Sequence, residues 1–256
     1  MKKYVALIAY DGTAYYGFQK TKEGPSIEES LETILQQIFQ HPISLQAASR
    51  TDRGVHAEGQ VVDWNSPKDL DCTQLNISLN QLLPPDIRVL NITNTVDISF
   101  HPTLDATSKH YLYCISNTPV QLPKERLTHW HIIPPLDTKL MQKASHSLIG
   151  THDFKSFCNA RKDLRYETTI RTITGITIEQ RESEITVHMM GNAFLYKMAR
   201  NIVGTLVYVG LQKIPIESLT ELLEAKNRPG IGITAPAHGL FLKELLYVKW
   251  PHVVQR

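Results

Sequence analysis

The segment Ser49-Arg50-Thr51-Asp52-Arg53-Gly54-Val55-His56-Ala57 sets one carboxylate between two guanidinium groups. Flanking positive charge favours the ionised form of a carboxyl group. An Asp held ionised suits a nucleophile or the stabilisation of a cationic centre, whereas a general acid needs the opposite surroundings. The same residues also fit a structural ion pair on a turn between strands, and on these residues alone both readings stand. A second run, Tyr10-Asp11-Gly12-Thr13-Ala14-Tyr15-Tyr16-Gly17-Phe18-Gln19, mixes turn residues with aromatics. Its rings could stack on unpaired bases or pack in a core. A third stretch is basic: Lys155, Arg161, Lys162, Arg165 and Arg171, with only Asp163 and Glu167 against them.

The elements that must carry these groups follow from periodicity. Residues 4–10 read as an apolar strand entering a Gly turn. Ser26 with Glu29 three positions on fits a capping box, and Ile27, Leu31, Ile34, Leu35 and Ile38 follow at helical spacing. Strands are expected over 43–49 and 57–64, a helix over 72–82 and a strand over 87–96. The order β-α-β-β-α-β then recurs: a strand over 111–116, a helix over 138–149, strands over 170–180 and 185–190, a helix over 193–209 and a closing strand over 240–250. An α/β (α+β) protein of two ferredoxin-like units is the simplest reading. The units are expected at 1–105 and 106–256, divided near Phe100-His101-Pro102, with a surface excursion between Pro215 and Pro236. In the helix over 193–209, Lys197, Arg200 and Gly204 share the side opposite the apolar face, where a cation beside a small residue could approach a phosphate or carboxylate.

Composition narrows the classes. Residues 1–105 hold 8 Lys and Arg against 13 Asp and Glu, and residues 106–256 hold 19 against 12, so −5 stands beside +7. A polyanion would therefore be gripped mainly by the second half. The apolar runs fall far short of the ~20 residues that cross a bilayer, and a cytoplasmic protein with no membrane partner is expected. Cys72, Cys114 and Cys158 form no paired motif, which points to small buried hydrophobes rather than a disulfide framework. His129 and His131 have no third ligand at metal-site spacing, and the phosphate-loop and dinucleotide patterns are absent from the sequence. No cofactor and no metal are expected.

Several of these segments, taken together, resemble the bacterial tRNA pseudouridine synthase A enzymes over nearly the whole chain. The resemblance rests on YDGTAYYGFQ at 10–19, SRTDRGVHA at 49–57, FHPTLDATSKHYLY at 100–113 and NAFLYKMARNIVG at 192–204, supported by LLPPDIRV at 82–89, GTHDFKSF at 150–157 and TAPAHGLFL at 234–242. Ser49 stands where the family usually has Gly, and Phe18 where it usually has Trp. Neither change removes a reacting group. The resemblance implies Asp52 as nucleophile, Tyr111 against the target base, Arg200 as partner of the catalytic Asp and Arg50 as a helper. It implies two units related to RNA-recognition modules with the active-site cleft between them, and a homodimer. The substrate it implies is the anticodon stem-loop of several tRNAs, modified at neighbouring uridines on its 3′ side. On that footing Lys197, Arg161 and Lys162 are expected to hold the tRNA backbone, and the helix bearing Glu28, Glu29 and Glu32 to face away from it.

Overall fold

The computed structural model describes residues 1–95, 97–160 and 166–248. In chain order the elements are β1 (Lys2–Tyr10), α1 (Ile27–Phe39), β2 (Gln46–Ala47), β3 (His56–Ser66), α2 (Cys72–Leu82), β4 (Ile87–Thr95), β5 (Ala106–Ser116), β6 (Trp130–His131), α3 (Thr138–Ser145), β7 (Gly150–Asp153), β8 (Ile170–Arg181), β9 (Glu184–Gly191), α4 (Met198–Gly210), α5 (Ser218–Glu224) and β10 (Leu240–Tyr247). They divide into two units, Met1–Thr107 joined by the chain from Phe241, and Ser108–Leu240. The class is α/β, as the periodicity predicts.

In the first unit, β1 lies between β3 and β4, antiparallel to both. β2 adds antiparallel to β3, and β10 pairs parallel with it at His56 and Ala57. The order β4-β1-β3-β2 is that of a ferredoxin-like sheet. Helix α1 lays Ile27, Leu31, Leu35 and Phe39 into the core. Tyr4 stacks on Trp64 at 5.3 Å between ring centres, and Phe39 meets Tyr4 edge-on at 5.4 Å. Ser26 accepts from the Glu29 amide at 3.2 Å, which is half of the expected capping box. Two acidic residues of this helix, Glu28 and Glu32, work internally. Glu32 is buried, and its carboxylate takes the Leu45 amide at 2.8 Å and the Lys20 ammonium at 2.5 Å. Glu28 accepts the Lys20 amide at 2.7 Å.

The second unit repeats the pattern as β5-β9-β8, extended by β7, with β6 parallel to β5. β9 runs antiparallel to both β5 and β8. Helix α4 is buried almost all round, and Gly210 lets the Met141 side chain of α3 approach its backbone. Among the described residues no helix is long and apolar enough to cross a membrane.

Three expected elements change at their ends. The strand over 43–49 shrinks to β2, because the side chain of Gln60 takes the Ser49 amide at 3.2 Å and the Ser49 carbonyl at 2.5 Å in place of a ladder partner. The helix over 193–209 begins only at Met198. Lys197 sits at φ 60°, a left-handed conformation that interrupts the helical path, and the Asn192 side chain takes the Ala193 amide at 2.7 Å. The helix over 138–149 stops at Ser145, and the chain turns into β7 through Gly150 at φ 118°. The strands β6 and β7 escape periodicity because two and four residues are too short to show one. Of the cysteines, Cys114 is buried, while Cys72 and Cys158 are half-buried. The closing strand is described through Tyr247; positions 249 and 250 lie outside the described residues, as does 96.

Candidate active site

In the first unit the Asp52 loop is built by its neighbours. It leaves β2 through Ala48, whose amide donates to the Val61 carbonyl at 2.9 Å, and re-enters the sheet at His56. Between these points the Tyr10 phenol meets the Thr51 hydroxyl at 2.8 Å, and the Phe18 amide donates to the Thr51 carbonyl at 3.1 Å. A turn closes with the Val55 amide on the Asp52 carbonyl at 3.1 Å, and Gly54 supplies the φ of 76° that the turn needs. Asp52 is half-buried on this turn, while Arg50 and Arg53 are exposed. The Arg53 guanidinium lies over the Tyr16 ring at 3.9 Å.

The run at 10–19 therefore packs against the loop. Tyr15 and Phe18 are buried, and the Tyr15 phenol donates to Asp86 at 2.7 Å. Burial first, then the Asp86 carboxylate, raises the pKa of that phenol. The two glycines permit close backbone approach. A Cβ on Gly12 would stand 2.0 Å from the Val55 carbonyl oxygen, and one on Gly17, at φ 100°, 2.8 Å from that of Thr51. Gly12 also donates its amide to His56 Nδ1 at 3.1 Å, and the His56 ring stacks on Phe241 at 4.6 Å. Burial pushes the Asp11 carboxyl up, but the Thr13 hydroxyl and amide and the nearby His56 reverse this and leave it below the ordinary carboxylate range. The segment at 10–19 thus packs on the backbone of the loop at 49–57, with Asp86 of the segment at 82–89 held by Tyr15 and Phe241 of the segment at 234–242 stacked on His56.

In the second unit Tyr111 lies on β5, buried and edge-on to Phe194 at 4.9 Å. Two residues earlier, burial brings the Lys109 amine down to about 8. Arg200 sits in the first turn of α4, where its Nε donates to the Ala235 carbonyl at 2.7 Å and its own carbonyl accepts the Ala235 amide at 3.1 Å. Lys197 is half-buried, with its ammonium 5.1 Å from the Tyr196 ring centre.

Gly204 corrects the expectation of an open helix side. A Cβ there would stand 1.7 Å from the Ile233 carbonyl oxygen, so the small residue admits the protein's own chain rather than a phosphate. Asn201, fully buried, ties the same layer together. Its amide donates to the Phe157 carbonyl at 2.6 Å and to Asn159 at 2.8 Å, and its oxygen accepts from Thr234 at 2.7 Å and from Arg228 at 3.2 Å.

Of the basic stretch, Lys155 is exposed, and Arg171 donates to the Thr168 and Ile170 carbonyls at 3.0 and 2.6 Å. Arg161, Lys162 and Arg165 lie outside the described residues. Sequence reasoning missed Gln60, Asn201 and Arg228, since each matters through partners far away in the chain.

Comparison with known proteins gives the same frame. The model of the tRNA pseudouridine synthase family matches residues 6–105 and 144–248. The chain is 48% identical over 242 residues to tRNA pseudouridine synthase A 2 of Protochlamydia amoebophila, covering 94% of this chain and 92% of that one. It is 42% identical to tRNA pseudouridine synthase A of Chlamydia muridarum, covering 96% and 92%. It is 40% identical to tRNA pseudouridine synthase A of a Thermoanaerobacter species, covering 96% and 100%. The segments at 10–19, 49–57 and 82–89 and the one that carries Arg200 fall within the matched residues, Tyr111 lies between the two matched stretches, and the chain belongs to the tRNA pseudouridine synthase family.

Proposed function

We propose that the chain isomerises uridine to pseudouridine in the anticodon stem-loop of tRNAs, at neighbouring uridines on its 3′ side, with Asp52 as the catalytic carboxylate. The observation that carries this reading is the loop at 49–57. Its backbone is fixed by Gln60, Tyr10, Phe18 and two close-packed glycines, and one half-buried carboxylate stands on the resulting turn. Such support holds a reacting group in place without help from the substrate.

In the reaction the C1′–N1 bond of uridine breaks, the base turns over, and C5 joins C1′. C5 loses its proton to water and N1 takes one up, so no co-reactant is consumed. The sugar passes through an electron-poor centre of the kind met in glycoside hydrolysis. An ionised Asp52 answers it by adding to C1′ or by removing a sugar proton. Tyr111 lies against the base and receives the C5 proton, while Arg50 and Arg200 supply positive charge to the reacting centre. The target base leaves its stack at a cost of about a few kcal/mol, offset by the grip of Lys197, Arg161 and Lys162 on the backbone. The protein acts in the cytoplasm as a homodimer.

The reading is tested by incubating unmodified tRNA transcripts with the protein and mapping carbodiimide adducts by primer extension. New stops on the 3′ side of the anticodon stem-loop are expected. Stops confined to other arms would contradict the substrate assignment, and a monomer in sedimentation at assay concentration would contradict the dimer.

A further inference from the structure

Spacing along the chain gives His129 and His131 no third ligand, and His131 turns its Nε2 to the Thr118 carbonyl at 2.7 Å. Folding supplies His129 with other neighbours. Cys114, His129 and Glu184 each bring one ligand atom to within 4.8 Å of the other two. Strand register explains the convergence. Ile115 of β5 faces Trp130 of the parallel β6, so the residues before them, Cys114 and His129, come side by side. On the other edge of β5, Cys114 faces Thr186 of β9, and Glu184 is the diagonal neighbour two residues away on the same face.

The histidine is oriented as a ligand would be. Its Nδ1 lies 2.9 Å from the Thr128 hydroxyl, which itself donates to the Glu125 carbonyl at 3.4 Å. With Thr128 accepting from Nδ1–H, a neutral imidazole would offer its Nε2 lone pair to an ion. Nε2 lies 3.5 Å from the Glu184 carboxylate. A ligand histidine held through its other ring nitrogen is the usual arrangement around a metal ion. The His129 backbone is anchored as well, since its carbonyl accepts from Gln121 at 3.1 Å and from His238 at 3.0 Å.

We propose that Cys114, His129 and Glu184 form a binding site for a divalent cation of the zinc class. A thiolate, an imidazole and a carboxylate make a donor set that suits zinc and leaves a fourth tetrahedral position for water. On binding, the Cys114 thiol proton passes to solvent, sulfur forms the metal bond, and no oxidation state changes. The two anionic ligands neutralise the ion, which fits a place where Cys114 is buried and the Glu184 side chain is 55% exposed. The bound ion would fasten β5, the strand that carries Tyr111, to β9 and to the start of β6.

The test is cobalt substitution in the full-length protein after chelation and dialysis. Wild type is expected to bind one Co²⁺ per chain, with a thiolate-to-cobalt charge-transfer band and the intense visible bands of a four-coordinate ion, both displaced by Zn²⁺. Glu184→Gln, at an exposed position, should keep the fold and weaken binding by at least about tenfold. Cys114→Ser should lose the charge-transfer band, while His131→Ala should bind as wild type does. The proposal is overturned if wild type retains no cobalt, or if it retains cobalt with a spectrum and affinity that Cys114→Ser and Glu184→Gln leave unchanged.

Discussion

The phenol oxygen of Tyr10 lies 2.8 Å from the hydroxyl of Thr51, so the last residue of β1 holds the residue that precedes Asp52. The same phenol accepts from the Gln60 amide at 3.4 Å. Replacing Tyr10 by Phe leaves two buried polar groups short of a partner, which costs about 1–3 kcal/mol in urea unfolding. It also loosens the loop, and kcat should fall by about tenfold or more while KM changes little. A variant with wild-type kcat would show that the loop needs no such anchor.

Glycine substitutions should split by position. An Ala in a helix ordinarily gains about 1 kcal/mol over Gly. At Gly204 the sign reverses, because its Cβ would stand 1.7 Å from the Ile233 carbonyl oxygen, and a loss of about 2 kcal/mol or more is expected. At Gly175 of β8 the nearest atom is the Met190 methyl at 3.6 Å, an ordinary contact. Gly175→Ala should be neutral or stabilising by about 0.5 kcal/mol. Equal melting shifts for the two variants would contradict the packing around α4.

Lys3 and Asp63 form a buried ion pair at 2.9 Å, and Lys3 also donates to the Phe100 carbonyl. Burial, only partly countered by Lys3, raises the pKa of the Asp63 carboxyl. Lys3→Met should cost about 3–5 kcal/mol because it strands the carboxylate, and adding Asp63→Leu should restore most of that. A double variant no more stable than the single one would rule out stranded charge as the cause.

Lys109 gives a pH signature. Its amine is brought down to about 8 from an ordinary 10.5, so between those values the unfolded chain binds a proton that the folded chain has shed. Stability gains from rising pH across that window, and below about 8 the cost of burying the charge is constant. Measured against Lys109→Met, wild type should gain about 3 kcal/mol between pH 8 and 10.5. A flat difference would mean that the amine keeps its ordinary value.

Periodicity reached the elements that alternate or repeat over many residues: α2 was expected over 72–82 and forms over Cys72–Leu82. It failed where a side chain replaces a backbone partner, as Gln60 does for Ser49, and where one left-handed residue, Lys197, delays a helix. The segment at 49–57 was visible because its charges are consecutive. The work of Gly12 and Gly204 was hidden, since the carbonyls that exclude their Cβ atoms belong to Val55 and Ile233, remote in the chain. Cys114, His129 and Glu184 escaped notice for the same reason, as strand register and not spacing brings them together.

The role of Asp52 is tested most directly with unmodified tRNA carrying tritium at uridine C5, incubated with wild type and with Asp52→Ala, and counted for label released to water. Wild type should release label from the anticodon stem-loop uridines, and the variant should lose at least about 1,000-fold in rate while still binding tRNA. Release by Asp52→Ala at the wild-type rate would contradict the account.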